Sequence, residues 1–246
     1  MPPKPVPHNQ PLRNQLALVT GATRGIGLAI ARALASAGCN LIVTGRDESA
    51  LRRISKELAS VKVQILAHPC DLRNPQSIDD LFRAIRRDFK RLDILINNAG
   101  IAHSSLTVDK LPLQLWQDVI DTNLTGTFLV TQAALPMMKR GATIVNNLSV
   151  VTNRVFAGSA AYIASKHGAL GLTNTLREEL RPKGIRVIAL LPGATNTEIW
   201  NSFWPHAPRK KMMSPATVAG AVVNAILLPP NATLETLEIL PTAGLL

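Results

Sequence analysis

Apolar and polar positions along this chain follow two alternating rhythms. Short aliphatic runs at 16–20, 40–44, 61–67, 93–96, 142–146, 184–190 and 237–240 have the length and content of buried strands. Between them lie longer stretches whose apolar residues return every three or four positions, the signature of helices with one buried face. These predict helices over 28–37, 48–59, 75–89, 113–140, a stretch running through Tyr162 to Arg181, and 215–228. Strands that alternate with helices predict an α/β fold: a doubly wound, seven-stranded parallel sheet with helices on both faces. Right-handed crossovers then bring the carboxyl ends of the strands to one rim, where such sheets bind ligands. Residues 16–246 are expected to form one domain of this kind. Residues 1–15, rich in proline, are expected to be a flexible arm.

Composition changes this picture little. The chain has 246 residues, 46% of them hydrophobic but only 4% aromatic, so aliphatic side chains fill the core. The net charge of +11 raises the question of a nucleic-acid partner, but lysine and arginine are spread along the chain rather than clustered. A solvated basic surface is the simpler reading, and no nucleic-acid partner is expected. No apolar run approaches the roughly 20 residues of a membrane span. Cys39 and Cys70 make neither a disulfide framework nor a metal site. A cytoplasmic protein without bound metal is expected.

The candidate chemistry lies where strands end. After the first strand comes Thr20-Gly21-Ala22-Thr23-Arg24-Gly25-Ile26-Gly27, a glycine-rich turn opening a helix. Free amides and the helix dipole make such a turn an anion site, and glycine lets the backbone approach a pyrophosphate. After the second strand, an NAD site would carry an acid to hold the adenosine ribose. Gly45-Arg46 stands there instead. Arg24 and Arg46 suit a 2′-phosphate, which points to NADP(H). Asp47 reads as a helix cap. Asp71, with Leu72, is either an adenine contact or a turn acid. Asn97 and Asn98, before Ala99 and Gly100, either flank a ligand or form a turn.

The last candidates sit past the fifth and sixth strands. Tyr162 and Lys166, four apart in an alanine-rich helix, share one face. A phenol with a pKa of about 10 is a usable proton donor, and a nearby cation favours its phenolate. Ser149 can donate a hydrogen bond to the same substrate oxygen. Asn123 lies inside the long predicted helix, where an asparagine can bend the backbone. Pro192, Gly193, Thr195 and Thr197 follow the sixth strand. Residues 196–213 depart in composition, with Trp200, Phe203 and Trp204 close together. They read either as a substrate lid or as a satellite cluster packed on the domain.

Taken in order and at their spacing, Gly21-x-x-x-Gly25-Ile26-Gly27, Asn97-Asn98-Ala99-Gly100, Asn123, Ser149, Tyr162-x-x-x-Lys166 and Pro192-Gly193 resemble the short-chain dehydrogenase/reductase family. The resemblance runs from about Leu16 to the final strand. It implies a Rossmann fold and hydride transfer between NADP(H) and a carbonyl or alcohol carbon, in the manner of the carbonyl and 3-oxoacyl reductases. By position it makes Tyr162 the general acid/base, with Ser149 polarising the carbonyl. Lys166 would lower the Tyr162 pKa and bind the nicotinamide ribose, and Asn123 would hold a water. Thr195 and Thr197 would contact the carboxamide and pyrophosphate region. It also implies a homotetramer built through the helices near 113–140 and 159–180. Two other readings share these residues: an NADP-dependent sugar or hydroxy-acid dehydrogenase running oxidatively, and a dinucleotide-binding regulator, which would not need all four catalytic positions.

Overall fold

The structure is a computed structural model, and it describes residues 10–244. Seven strands, β1 (Leu16–Thr20), β2 (Asn40–Gly45), β3 (Ile65–Pro69), β4 (Ile94–Asn97), β5 (Thr143–Asn147), β6 (Arg186–Pro192) and β7 (Thr236–Ile239), pair in parallel in the order β3-β2-β1-β4-β5-β6-β7. The order reverses between β1 and β4, which opens a crevice beyond their carboxyl ends.

The two-residue period of the strands assigns their side chains to two cores. Ala17, Val19, Ile94, Ile96, Val145, Ile188 and Leu190 face α1 (Gly25–Ser36), α2 (Glu48–Leu58) and α8 (Pro215–Ile226). Leu16, Leu18, Leu95, Ile144 and Val187 face α3 (Pro75–Asp88), α5 (Gly126–Ala134) and α6 (Ala160–Leu180). Two shorter helices, α4 (Leu113–Ile120) and α7 (Trp200–Phe203), complete the set. Asp47 caps α2 as expected, its carboxylate accepting from the Ala50 amide at 3.0 Å.

Three expectations need correction. The arm was expected to run to residue 15. Residues 1–9 lie outside the described part, but residues 10–15 dock on the domain. Leu12 is 1% exposed in the first core and its amide donates to the Ala37 carbonyl. The third strand begins at Ile65 rather than Val61, because the chain must first return from the end of α2. Gln64 is fixed there by the Asn40 side chain, and Val61 and Val63 pack against the first core as part of the connection. The long helical region of 113–140 is present but ends early and is not uniform: α4 runs through a π-turn, Asp121–Thr125, into α5, which ends at Ala134. Only one 3₁₀ turn, Leu135–Met137, follows, since Pro136 cannot continue the helix ladder.

Arg186, the first residue of β6, ties the amino edge of the sheet to the end of α8. Its guanidinium donates to the carbonyls of Ile226 (2.8 Å) and Leu228 (3.1 Å), the last turn of α8 and the residues just past it, and to Thr143. Burial lowers its pKa, so these acceptors replace water around a partly desolvated cation. Charge-assisted bonds of this kind contribute ~1.5–3 kcal/mol each and are not additive. Arg186→Ala is expected to lower unfolding free energy by about 2–4 kcal/mol. It should appear as a lower urea midpoint with an unchanged m-value.

Candidate active site

A cleft of about 1080 Å³ runs along the strand carboxyl ends from β3 to β6 and under α7. Its first end is the glycine turn. Gly21 and Gly25 have φ of 61° and 57°, which L side chains avoid. A Cβ at Gly21 would stand 2.8 Å from the Ala99 Cα, so no other residue fits. Arg24 takes the N-cap position of α1 without capping it, and no acid occupies the first turn. The first amides of α1 are therefore left for an anion. Gly27 differs from its expected role. It does not line the cleft; a Cβ there would collide with the Asn98 amide and the Gly21 carbonyl, so its task is to let α1 pack against β4.

Arg24, Arg46 and Arg53 line the same end of the cleft. Arg53 was not singled out from sequence, where it reads as an ordinary solvated position of an amphipathic helix. The next wall is Asp71 and Leu72. The Asp71 carboxylate is gripped through both oxygens by Arg73 (2.7 Å to Oδ2), which also reaches Asp118 at 2.9 Å. The hydrogen bond from the Arg73 side chain holds Asp71 well below the usual carboxylate range. These residues fit a dinucleotide carrying an extra ribose phosphate: a glycine cradle for the pyrophosphate, cations at the ribose end and an ionised acceptor beyond.

A polar thread joins this end to the other. The Asn98 amide donates to the carbonyls of Thr20 (2.9 Å) and Gly21 (3.1 Å). Its own oxygen accepts from the Asn147 side chain at 2.8 Å. The Asn147 carbonyl then accepts from Lys166 Nζ at 2.7 Å. Deeper in the sheet, Asn97 donates to Asn146 and Thr131, and Asn146 to Thr173. Asn97 and Asn98 are thus cross-strand struts rather than turn formers. From sequence Asn146 is only the last residue of the fifth strand and Asn147 lies just past it; their side-chain partners, Asn97, Thr173 and Asn98, are distant in the chain.

At the far end, Ser149, Tyr162 and Lys166 converge on one wall. Ser149 follows β5 and is buried, with its Oγ accepting from the Val151 amide at 3.3 Å. Lys166 Nζ lies 5.7 Å from the centre of the Tyr162 ring. Burial lowers the Lys166 pKa to about 8. Burial pushes the Tyr162 phenol up, opposed by a hydrogen bond with Ser149. The net direction for Tyr162 in the ligand-free cleft is therefore opposite to the lowering expected from Lys166. The ring retains some exposure through the cleft mouth, so this upward push is partial.

Asn123 does not line the cleft. Held in the π-turn, its side chain accepts from the Ile101 amide (2.8 Å) and donates to the Ile101 carbonyl (2.9 Å) and Ser165 Oγ (3.0 Å). It ties the segment after Gly100 to the turn of α6 that carries Tyr162. π-Turns of this kind cluster at functional sites. Pro192, Gly193, Thr195 and Thr197 close the cleft beside the glycine turn, with Thr197 3.2 Å from a Cβ built on Gly25.

The segment after Thr195 is pinned at its base and braced within. Ala194 and Asn196 pair with Met213 through backbone hydrogen bonds. Arg209 donates to the side chains of Asn196 (3.3 Å) and Asn201 (2.8 Å) and to the Thr197 carbonyl. From α7, Trp200 and Phe203 reach the cleft, and the Phe203 ring lies 6.1 Å from that of Tyr162.

A crevice at the sheet's switch point, lined by a phosphate cradle at one end and a Ser–Tyr–Lys group at the other, defines a dinucleotide-dependent enzyme. Residues 15–208 match the family model described as short chain dehydrogenase, and the chain belongs to that family. It is 38% identical over 224 residues to a 3-oxoacyl-(acyl-carrier-protein) reductase of Aquifex aeolicus, spanning 86% of this chain and 90% of that one. An alcohol dehydrogenase of Thermococcus sibiricus, solved with 5-hydroxy-NADP, superposes with a TM-score of 0.87 at 29% identity and covers 93% of this chain and 97% of its own. An actinorhodin polyketide ketoreductase variant with NADPH superposes at 0.82, with 34% identity and coverage of 92% and 96%.

Proposed function

We propose that this protein is an NADPH-dependent reductase that converts a ketone or 3-oxoacyl carbonyl to a secondary alcohol. The observation that carries the reading is the cleft itself, with arginines at one end and Ser149, Tyr162 and Lys166 at the other. The similar reductase of Aquifex aeolicus and the NADP-bound neighbours support it. Arg24 and Arg46 would hold the 2′-phosphate, Gly21, Thr23, Gly25, Ile26 and Thr197 the pyrophosphate, and Asp71 with Leu72 the adenine. Asn98, Ala99, Gly100, Pro192, Gly193 and Thr195 would line the ribose and carboxamide region. NADPH held there would supply hydride to the carbonyl carbon.

The protein's own groups handle the oxygen. As that atom gains charge, the Ser149 and Tyr162 hydroxyls meet it with two hydrogen bonds, aligned before reaction. Tyr162 then gives up its phenolic proton to it. Lys166, fixed by the Asn147 carbonyl, places its ammonium where it stabilises the resulting phenolate. Asn123 keeps the two walls in register. Mixing NADPH with a panel of ketones and oxoacyl thioesters and following nicotinamide absorbance tests the reading; failure of every carbonyl to consume NADPH would sink it.

The pH dependence should report Lys166. Its pKa is lowered to about 8, so its charge is present at neutral pH and lost as pH rises through that value. Reductive kcat/KM is expected to hold level below about pH 8 and fall above it. A level profile up to about pH 10 would show that the ammonium is not needed.

Free thiols at Cys39 and Cys70 suit a reducing, cytoplasmic setting. Among the described residues no helix is long and apolar enough to cross a membrane. Exposed Leu113 and Phe128 on α4 and α5 offer apolar surface for a homo-oligomer, a tetramer in this reading. Residues 196–213 would act as its substrate lid, with Arg209 as the brace.

A further inference from the structure

We infer that the substrate of this reductase carries a planar aromatic group beside its carbonyl and no anionic group near it. The inference rests on the proposed carbonyl reduction and names the class of carbonyl. Aromatic side chains are scarce in this chain, three Trp, one Tyr and five Phe, yet Phe156, Tyr162, Trp200, Phe203 and Trp204 all line one cleft. Four of them form a continuous series that starts at the proton donor. Tyr162 and Phe203 lie 6.1 Å apart, Phe203 and Trp200 5.6 Å apart at 71°, and Trp200 and Trp204 6.3 Å apart. The Trp200 indole at the middle of the series is fixed by its hydrogen bond to the Thr195 carbonyl at 2.8 Å.

The series is also unfinished. Trp204 is 43% exposed and Phe156 38% exposed, both on the walls of the cleft. Large apolar rings left open at a cleft are what a planar apolar ligand would cover. The charges of the cleft point the same way. Arg24, Arg46, Asp47, Arg53 and Asp71 lie at the glycine-turn and β2–β3 end, and Glu198 lies beside Gly25. Lys166 is committed to the Asn147 carbonyl, and Arg209 to Asn196, Thr197 and Asn201. Among the described residues, Lys166 is the only lysine or arginine lining the aromatic end, and its ammonium serves Tyr162 and the Asn147 carbonyl. Hydroxy acids and sugar phosphates are disfavoured on that ground.

The test compares acetylnaphthalene, a straight-chain methyl ketone of equal carbon count, an acetoacetyl thioester and levulinate, each with NADPH. The expected kcat/KM for acetylnaphthalene exceeds that for the alkanone by about 10-fold, and levulinate is not reduced. Trp204→Ala and Phe156→Ala should each raise KM for acetylnaphthalene about 5-fold and raise KM for the alkanone by a clearly smaller factor. Quenching of tryptophan fluorescence by naphthylethanol, titrated into the enzyme–NADP complex, reads the same site without turnover. It should weaken about 5-fold in Phe156→Ala. Equal or better use of the alkanone or the thioester, or variants that affect all substrates alike, overturns the inference while leaving the reductase intact. If no carbonyl consumes NADPH, the reductase reading fails, and the fluorescence titration still decides whether the aromatic pocket exists.

Discussion

Tyr162→Phe is expected to lower kcat/KM for ketone reduction by about 10²–10⁴-fold while NADPH binding stays near its original strength. The substitution removes one oxygen and keeps the ring that packs against Phe203, so folding should be spared. What is lost is the only phenol in the chain, and with it both a hydrogen bond to the developing oxyanion and the proton that completes the alcohol. Ser149 can still donate a hydrogen bond, which leaves some residual rate. Burial pushes the Tyr162 pKa upward in the ligand-free cleft, so the hydroxyl is protonated at neutral pH, the state that reduction requires. The result that would refute the mechanism is a variant retaining a tenth or more of its activity, measured as about 10-fold or less in kcat/KM.

Arg46→Ala is expected to weaken the use of NADPH by about 10–100-fold and leave NADH nearly unchanged. A charged hydrogen bond is worth roughly 1.5–3 kcal/mol, and Arg24, which lines the same cleft, retains part of the attraction. No acid stands at the end of β2 to hold a free ribose, because Asp47 is spent on the α2 cap. The variant should therefore lose its preference without gaining strong NADH activity. The ratio of kcat/KM for the two cofactors is the measurement. An unchanged ratio would move phosphate recognition to Arg24 and Arg53.

Much of this was legible in the sequence because the informative signals are local. Apolar runs such as Leu16–Thr20 and glycine at Gly21 and Gly25 report backbone states that few alternatives satisfy. The parallel sheet and the shared rim followed from strand–helix alternation and crossover handedness, whereas the strand order β3-β2-β1-β4-β5-β6-β7 came only with the structure. What could not be read depends on partners distant in sequence. Asn98 and Asn147 look like turn residues until β1, β4 and β5 are laid side by side. Arg53 is an exposed cation on α2, and only the folded chain brings it to the edge of the cleft. Gly27 belongs to the glycine motif, but only the packed structure shows that its neighbour is a side-chain amide and not a ligand. The early end of the 113–140 helical region is legible in hindsight at Pro136, and Asn123 marked a point where the backbone can bend, but that the bend is a π-turn tied to Ile101 and Ser165 needed the folded chain.

The asparagine thread has a consequence for anyone re-engineering this enzyme. Gly21, Asn98, Asn147 and Lys166 are coupled one to the next across three strands. A transplanted phosphate loop that shifts the Gly21 carbonyl would pull, through two amides, on the lysine at the opposite end. Cofactor exchange and catalytic tuning are therefore not modular here, and a successful graft must carry the asparagines along with the loop.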